Sequence, residues 1–278
     1  MANIPITVTL QHIDEARQAI EDNDAHSTYR LIHIRKVSPM AKTHGGDYLL
    51  YCCIRVESVE CTKILLEARA SVNVKADRDP LIVKACNASN PELLELLLLH
   101  KADPNACDQA GHPPIIHSIL SGSQVHRKVL SLLRNGADPN APIDDATVYT
   151  MSGSLTVMDD ALQDIFESHG ADINGLHSGK PILQQAVISG NVEHTKMLLA
   201  SGAQVSPEMF SACGFSSVTV LLRKALMMDR MGVKRHLLRC PAMSLQATVI
   251  ELLATSDEFD ERLRAGEDGH YFWEPVEE

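Results

Sequence analysis

The stretch Leu132-Leu133-Arg134-Asn135-Gly136-Ala137-Asp138-Pro139-Asn140 decides the fold. An apolar pair ends a predicted helix, Gly136 closes it in the left-handed conformation, and Pro139 prevents it from continuing. The phrase recurs at 98–105 and 166–174, and in weaker form at 65–73 and 198–206. The last residues of the five copies are Asn73, Asn105, Asn140, Asn174 and Ser206, so the copies lie 32, 35, 34 and 32 residues apart. A period near roughly 33 residues predicts stacked repeats of one helix pair each.

Between the copies of this phrase lie segments that resemble the ankyrin family. That family opens each repeat with Gly-x-Thr-Pro-Leu-His, and this chain has Gly111-His112-Pro113-Pro114-Ile115, Asp79-Pro80-Leu81 and Gly179-Lys180-Pro181-Ile182-Leu183 in the corresponding places. The resemblance covers roughly residues 46–206. It implies an all-α solenoid of stacked helix-turn-helix repeats joined by β-hairpin-type loops, with helical caps at both ends. Caps are needed because the terminal apolar faces would otherwise meet water.

Four regions are predicted from this pattern. Residues 1–45 form an N-terminal helical cap or decayed repeat, 46–206 the ankyrin-like repeats, 207–256 decayed repeats and a C-terminal helical cap, and 257–278 an acidic tail with the aromatic cluster Tyr271-Phe272-Trp273. We expect the tail to pack back on the repeats, since large apolar groups favour burial; a docking motif is the alternative. Apolar periodicity predicts helices at 11–20, 29–36, 91–100, 207–213, 218–228, 232–239 and 245–254.

The chain also departs from the family pattern. The family histidine that hydrogen-bonds between neighbouring hairpin loops is replaced by Tyr51, by Ile82 or Val83, by Ile116 and by Gln184. We therefore expect weaker bonding between loops, and loops that are longer or drift in position. The fourth repeat, 144–174, keeps almost nothing of the opening motif, although a helix is predicted at 158–167.

Composition excludes several functional classes. The formal net charge is −11, and the one basic segment, 223–239, has no aromatic residues for stacking bases, so we expect no nucleic-acid partner. No run approaches the roughly 18 apolar residues of a membrane span, and the N-terminus lacks a signal-peptide pattern. Seven cysteines without a C-x-x-C pair favour a reducing intracellular compartment, cytoplasmic or nuclear. No nucleotide-binding or catalytic motif is present, so we expect no cofactor.

The candidate chemical groups have simpler interpretations. His112, His117 and His126 suggest a metal site, but no acidic residue completes the set in sequence, so we expect solvated or locally bonded histidines and no metal. Cys52-Cys53 is expected to pack in the core, because a nucleophilic thiol needs exposure and a neighbouring base. No catalytic residue is predicted.

The resemblance to ankyrin repeats implies a scaffold or adaptor that binds a partner protein. Such arrays present hairpin tips and inner helices along a concave face; this inference rests on analogy of fold. We therefore expect a protein partner, with no prediction of oligomeric state. The positions that correspond to hairpin tips are Asp77, Arg78, Asp79, Asp108, Gln109, His112, His177 and Lys180.

Two alternatives remain open. The irregular fourth repeat leaves room for an enzyme with a remodelled pocket near residues 147–154, in which His117, Tyr149 or Asp159 would be available. An adaptor subunit with a C-terminal recruitment box ranks last, because residues 245–278 carry no recognisable box motif. A closed pocket with converging polar groups would favour the enzyme, and an open face would favour the binder.

Overall fold

The computed structural model describes residues 10–154, 159–214, 216–230 and Leu238. Two compact units divide the chain, Met1–Ile143 and Asp144–Glu278. The predicted helices at 232–239 and 245–254 and the aromatic tail lie outside the described residues, apart from Leu238.

The first unit consists of short helices connected by tight turns and one two-stranded hairpin. A π-helical turn, Arg30–Ile34, follows its second helix. Its elements are α1 Leu10–Glu21, α2 Ala25–Tyr29, α3 Leu49–Arg55, α4 Val59–Glu67, β1 Lys75–Ala76, β2 Asp79–Pro80, α5 Leu81–Asn87, α6 Pro91–Leu99, α7 Pro114–Leu120, α8 Val125–Arg134 and β3 Pro142–Ile143.

Helix α6 shows how the sequence specifies these elements. The Asn90 side chain accepts a hydrogen bond from the Glu92 amide at 2.9 Å, and Pro91 occupies the first turn, where its missing N–H costs nothing. Leu93 and Leu97 are fully buried on one side. The helix ends at Leu99, which confirms the prediction of a helix at 91–100 to within one residue.

Helix pairs in the first unit stack on one another. The inner helix α5 packs against α3 and α7, and the outer helix α6 packs against α4 and α8. Each pair thereby buries an apolar face that it cannot cover alone. Ahead of the first repeat, α1 packs on α3 and α2 packs on α4.

The N-terminal segment corrects one predicted boundary. The helix expected at 11–20 is present as α1. The helix expected at 29–36 is wrong as drawn: α2 begins at Ala25, because the Asp24 side chain accepts from the Ser27 amide at 3.0 Å and caps it there. The segment predicted as α-helix continues as the π-helical turn Arg30–Ile34.

The second unit repeats the same plan. Helix α11 packs against α9, α12 and α13, and α12 packs against α14. The helices predicted at 207–213 and 218–228 are present as α13 and α14. Its elements are β4 Ala146–Thr147, α9 Val148–Ser154, α10 Asp160–Ser168, β5 Leu176–His177, β6 Lys180–Pro181, α11 Ile182–Ser189, α12 Val192–Ala200, α13 Glu208–Ala212 and α14 Ser216–Arg230.

The recurring phrase has a structural role in linking repeats. Gly136 has φ of +91°, the left-handed conformation predicted for it. The asparagine that ends the phrase can bridge to the next repeat: Asn105 accepts from the Asp138 amide at 2.9 Å and donates to the Gly136 carbonyl at 2.9 Å. Asn73 accepts from the Asp103 amide at 3.1 Å in the same way. These bonds join the turns that follow the outer helices, and the expectation of weaker bonding between the hairpin loops stays a prediction.

Candidate functional site

The hairpins that carry the predicted site residues are tight. In the first unit Lys75 pairs with Pro80 and Ala76 with Asp79, leaving a two-residue turn. The turn residues Asp77 and Arg78 have φ of +51° and +72°, as the two-residue turn that matches strand twist requires. The hairpin at 176–181 in the second unit has the same form. The expectation of longer or drifting loops is wrong for both hairpins.

Polar side chains on successive inner helices hold the loops at these tips. They lie 33 residues apart, at the same place in each repeat, and each contacts a loop carboxylate. We call Tyr51, Lys84 and His117 the inner-face ladder. The contacts are Tyr51 Oη to Asp77 Oδ2 at 2.8 Å, Lys84 Nζ to Asp79 Oδ2 at 3.0 Å, and His117 Nε2 to Asp108 Oδ2 at 3.0 Å. The hydrogen bond to Asp77 raises the pKa of Tyr51 to about 12.

Asp79 also connects neighbouring loops. Its Oδ1 accepts from the Gln109 amide at 3.3 Å, while the Gln109 side chain donates to the Asp77 carbonyl at 3.3 Å. Partial burial opposes ionisation of Asp79, but the hydrogen bonds from Lys84 and Gln109 outweigh it and lower the pKa of the carboxyl. The loops of two consecutive repeats therefore share one charged hydrogen-bond network.

Asp108 and two histidines form a cluster in the third repeat. Asp108 Oδ1 accepts from the amides of Ala110 and His112 at 2.8 and 2.9 Å. Its Oδ2 lies 3.0 Å from His117 Nε2 and 3.7 Å from His112 Nδ1. The side chains of Asp108 and His117 are only 13% and 18% exposed. Burial opposes ionisation, but the two amide hydrogen bonds and His117 outweigh it, so the pKa of Asp108 is lowered.

This cluster settles two expectations about the histidines. His117 is locally bonded, as predicted. The statement that no acidic residue completes the histidine pair was wrong, because the loop folds Asp108 back between the two imidazoles. Helical spacing could not show this, since Asp108 belongs to the loop before α7 and not to its helical face.

The structure brings together five of the eight predicted site residues. They are Asp77, Asp79, Asp108, Gln109 and His112. Arg78 lies exposed at the same hairpin tip. His177 and Lys180 belong to the second unit, where Lys180 is exposed and the His177 carbonyl accepts from Gln185 Nε2 at 2.9 Å.

Lys128 was missed at the level of sequence. Its side chain is fully buried, and Nζ donates to the carbonyls of Cys86 and Ala88 at 2.9 and 2.7 Å and to the hydroxyls of Ser121 and Ser123 at 3.1 Å each. Burial lowers the pKa of this ammonium group. The available signal was a lysine on the apolar face of α8.

The residues named for a remodelled pocket have structural roles. Tyr149 is buried edge-on against Phe166, and its hydroxyl accepts from Gln163 Nε2 at 2.6 Å. Asp159 caps α10 by accepting from the Leu162 amide at 2.8 Å. These roles give the enzyme hypothesis no support. Cys52 and Cys53 are both buried, as expected for core residues.

The structure contains stacked repeats, each built from a pair of short helices. Tight hairpins and hydrogen bonds between repeats connect them. Residues 49–143 match the family model for ankyrin repeats, in three copies. Residues 49–143 are thus ankyrin repeats, and the predicted all-α, ankyrin-like fold class is confirmed. Ankyrin repeats are in general protein–protein interaction modules. In the part of the chain that the structure describes, no helix is long and apolar enough to cross a bilayer.

Solved structures show the same fold. The ankyrin repeat domain of Bcl-3 has a TM-score of 0.65 at 19% identity and covers 75% of this chain and 97% of its own. An ankyrin repeat domain from Acinetobacter baumannii has a TM-score of 0.59 at 24% identity and covers 68% of this chain and 98% of its own.

Curated relatives share the repeats over part of their length. The human transient receptor potential cation channel subfamily A member 1 is 30% identical over 58% of this chain and 15% of its own length. The Arabidopsis thaliana ADP-ribosylation factor GTPase-activating protein AGD2 is 41% identical over 30% of this chain and 9% of its own. The chain thus spans less than a sixth of these two relatives.

Proposed function

We propose that the chain is a scaffold or adaptor that binds a partner protein through its hairpin tips and inner helices. In the first unit we assign the contacts to Asp77, Arg78, Asp79, Asp108, Gln109 and His112, and in the second unit to His177 and Lys180. The acidic net charge argues against a nucleic-acid partner. Cys52, Cys53, Cys61, Cys86 and Cys107 are free thiols, which supports a reducing cytoplasmic or nuclear setting.

One observation carries this proposal: the tips are exposed yet held in place. Arg78 and Gln109 are exposed, while the inner-face ladder fixes the loops beneath them. An ordered loop loses less conformational entropy on binding than a mobile one. Exposed polar groups in fixed positions are therefore suited to recognition.

The charge of the hairpin tips in the first unit also limits which chemical groups we expect on the partner's surface. Asp77 keeps 61% of its side chain exposed, beside the carboxylate of Asp79. The ammonium of Lys84 is shared with these two carboxylates. We expect the partner to contribute basic or hydrogen-bond-donating groups, with Arg78 contacting an acceptor, because complementary charges set specificity and association rate.

The test is affinity capture from native lysate with the purified chain as bait. The hairpin variant combines Asp77→Asn, Arg78→Asn and Gln109→Ala; asparagine tolerates the left-handed backbone of the turn. The control variant combines Glu60→Gln and Lys63→Gln, an exposed ion pair on the outer helix α4. A partner should be captured by the wild type and the control and lost with the hairpin variant. Equal capture by all three proteins, with matched circular dichroism, would refute the site assignment.

A further inference from the structure

The Asp108, His112 and His117 cluster has a composition and geometry that partner binding does not require. Its three ligand atoms, one carboxylate oxygen and two imidazole nitrogens, all lie within 4.8 Å of one another. Among the described residues it is the one group of three or more such side chains placed this closely. We propose that this cluster is a binding site for a divalent transition metal, with Zn²⁺ as the fitting ion.

The donor set suits that class of ion. Two imidazoles and one carboxylate are ligands that Zn²⁺ takes in proteins, at about 2.1 Å, which places the ligand atoms of a tetrahedral site about 3.4 Å apart. The separations of Asp108 Oδ2 from His117 Nε2 and His112 Nδ1, 3.0 and 3.7 Å, bracket that value. The two imidazole nitrogens lie within 4.8 Å of each other and would move closer to reach this separation, and the His112 side chain is 36% exposed.

The carboxylate is oriented in advance for this role. The amides of Ala110 and His112 hold Oδ1, so Oδ2 is the oxygen that faces the imidazoles. Outer hydrogen bonds of this kind orient metal ligands and strengthen binding. A bound ion replaces the hydrogen bond between His117 Nε2 and Asp108 Oδ2.

Metal binding would join two elements of the repeat. Asp108 and His112 lie in the loop, whereas His117 lies on α7, so the ion clamps the loop to the inner helix. Ligand binding to the folded state alone raises stability by mass action. Zinc should therefore raise the thermal midpoint of the full chain.

The experiment is isothermal titration of the full chain with Zn²⁺, with Co²⁺ absorption spectra as a second measurement. The ligand variants are Asp108→Asn, whose amide oxygen still accepts from the loop, His112→Asn and His117→Gln. The controls are His100→Asn, an exposed histidine at the end of α6, and Cys107→Ser, the exposed thiol beside the cluster. Each ligand variant should weaken zinc binding at least about tenfold, and both controls should bind as the wild type does.

Two results would overturn the proposal. One is a wild-type chain that neither binds zinc nor gives the intense visible bands of low-coordinate Co²⁺. The other is binding that survives Asp108→Asn and His117→Gln in variants with unchanged circular dichroism, which would place the ion on other surface histidines. The Co²⁺ spectrum of the wild type decides the question even where a variant does not fold.

Discussion

Replacing Lys128 with methionine tests the packing between repeats most directly. The ammonium group lies at the C-terminal end of α5, where helix carbonyls lack intrahelical partners. It reaches the carbonyls of Cys86 and Ala88 from α8, one repeat further along. The hydroxyls of Ser121 and Ser123 complete its four contacts. Methionine keeps most of the volume and removes the donor.

The expected loss follows from the groups left without a donor. Hydrogen bonds to a charged group contribute about 1.5–3 kcal/mol each, and the three N–H groups of the ammonium can make three at a time, so they amount to roughly 4.5–9 kcal/mol. Burial of an ammonium costs several kcal/mol in return. The two serine hydroxyls are partly exposed and can accept from water instead, but the two carbonyls remain buried and unpaired. We expect Lys128→Met to lower the free energy of unfolding by about 3 kcal/mol.

Urea denaturation followed by circular dichroism measures this change in the free energy of unfolding. Repeat arrays do not always unfold in one step, so each transition in the curve is fitted on its own. Lys63→Met is the matched control, because the Lys63 side chain on α4 is 42% exposed and forms a 2.7 Å surface ion pair with Glu60; it should cost less than about 1 kcal/mol. A loss below about 1 kcal/mol for Lys128→Met would refute the argument that the ammonium group joins these repeats.

Three further changes are predicted. Asn105→Ala should cost about 1–2 kcal/mol in urea denaturation, since it removes two hydrogen bonds to the next repeat; Asn105→Asp, which keeps only the acceptor, should lose less. Burial lowers the pKa of His194. The unfolded state therefore binds the proton more tightly, and stability should fall below pH about 6.5, by at most about 1.4 kcal/mol per pH unit; His194→Gln should lack this component. Gly175→Ala should lower the thermal midpoint, because its Cβ would lie 3.0 Å from the Thr150 side chain; an unchanged midpoint would contradict it.

Much of the first unit could be predicted because its signals are local. The period of the phrase located each repeat, and Asn90-Pro91 before a leucine run located α6. The N-terminal boundary failed for a local reason as well: Asp24 was not recognised as a cap, and it starts α2 four residues ahead of the predicted helix.

The site was less predictable because it depends on contacts across repeats. Tip positions followed from the family pattern, but the pairing of Asp108 with His117 requires the loop to fold back. Likewise the sequence shows only that Lys128 is a charged residue on the apolar face of α8. The backbone carbonyls that accept its hydrogen bonds lie 40 and 42 residues away in sequence. Apolar periodicity predicts which residues face the core, but it does not predict which of those residues contact each other.

The inner-face ladder explains how a diverged array keeps ordered tips. Tyr51, Lys84 and His117 differ in chemistry, yet each occupies the same place in its repeat and reaches a loop carboxylate within about 3 Å. The stack fixes the distance between inner helix and loop, so any side chain of suitable length and donor capacity can make the bond. Loss of the family histidine is therefore compatible with ordered loops, since the ladder holds them by other side chains. If the tips bind a partner as proposed, the residues above this support can change while the backbone that presents them stays in place.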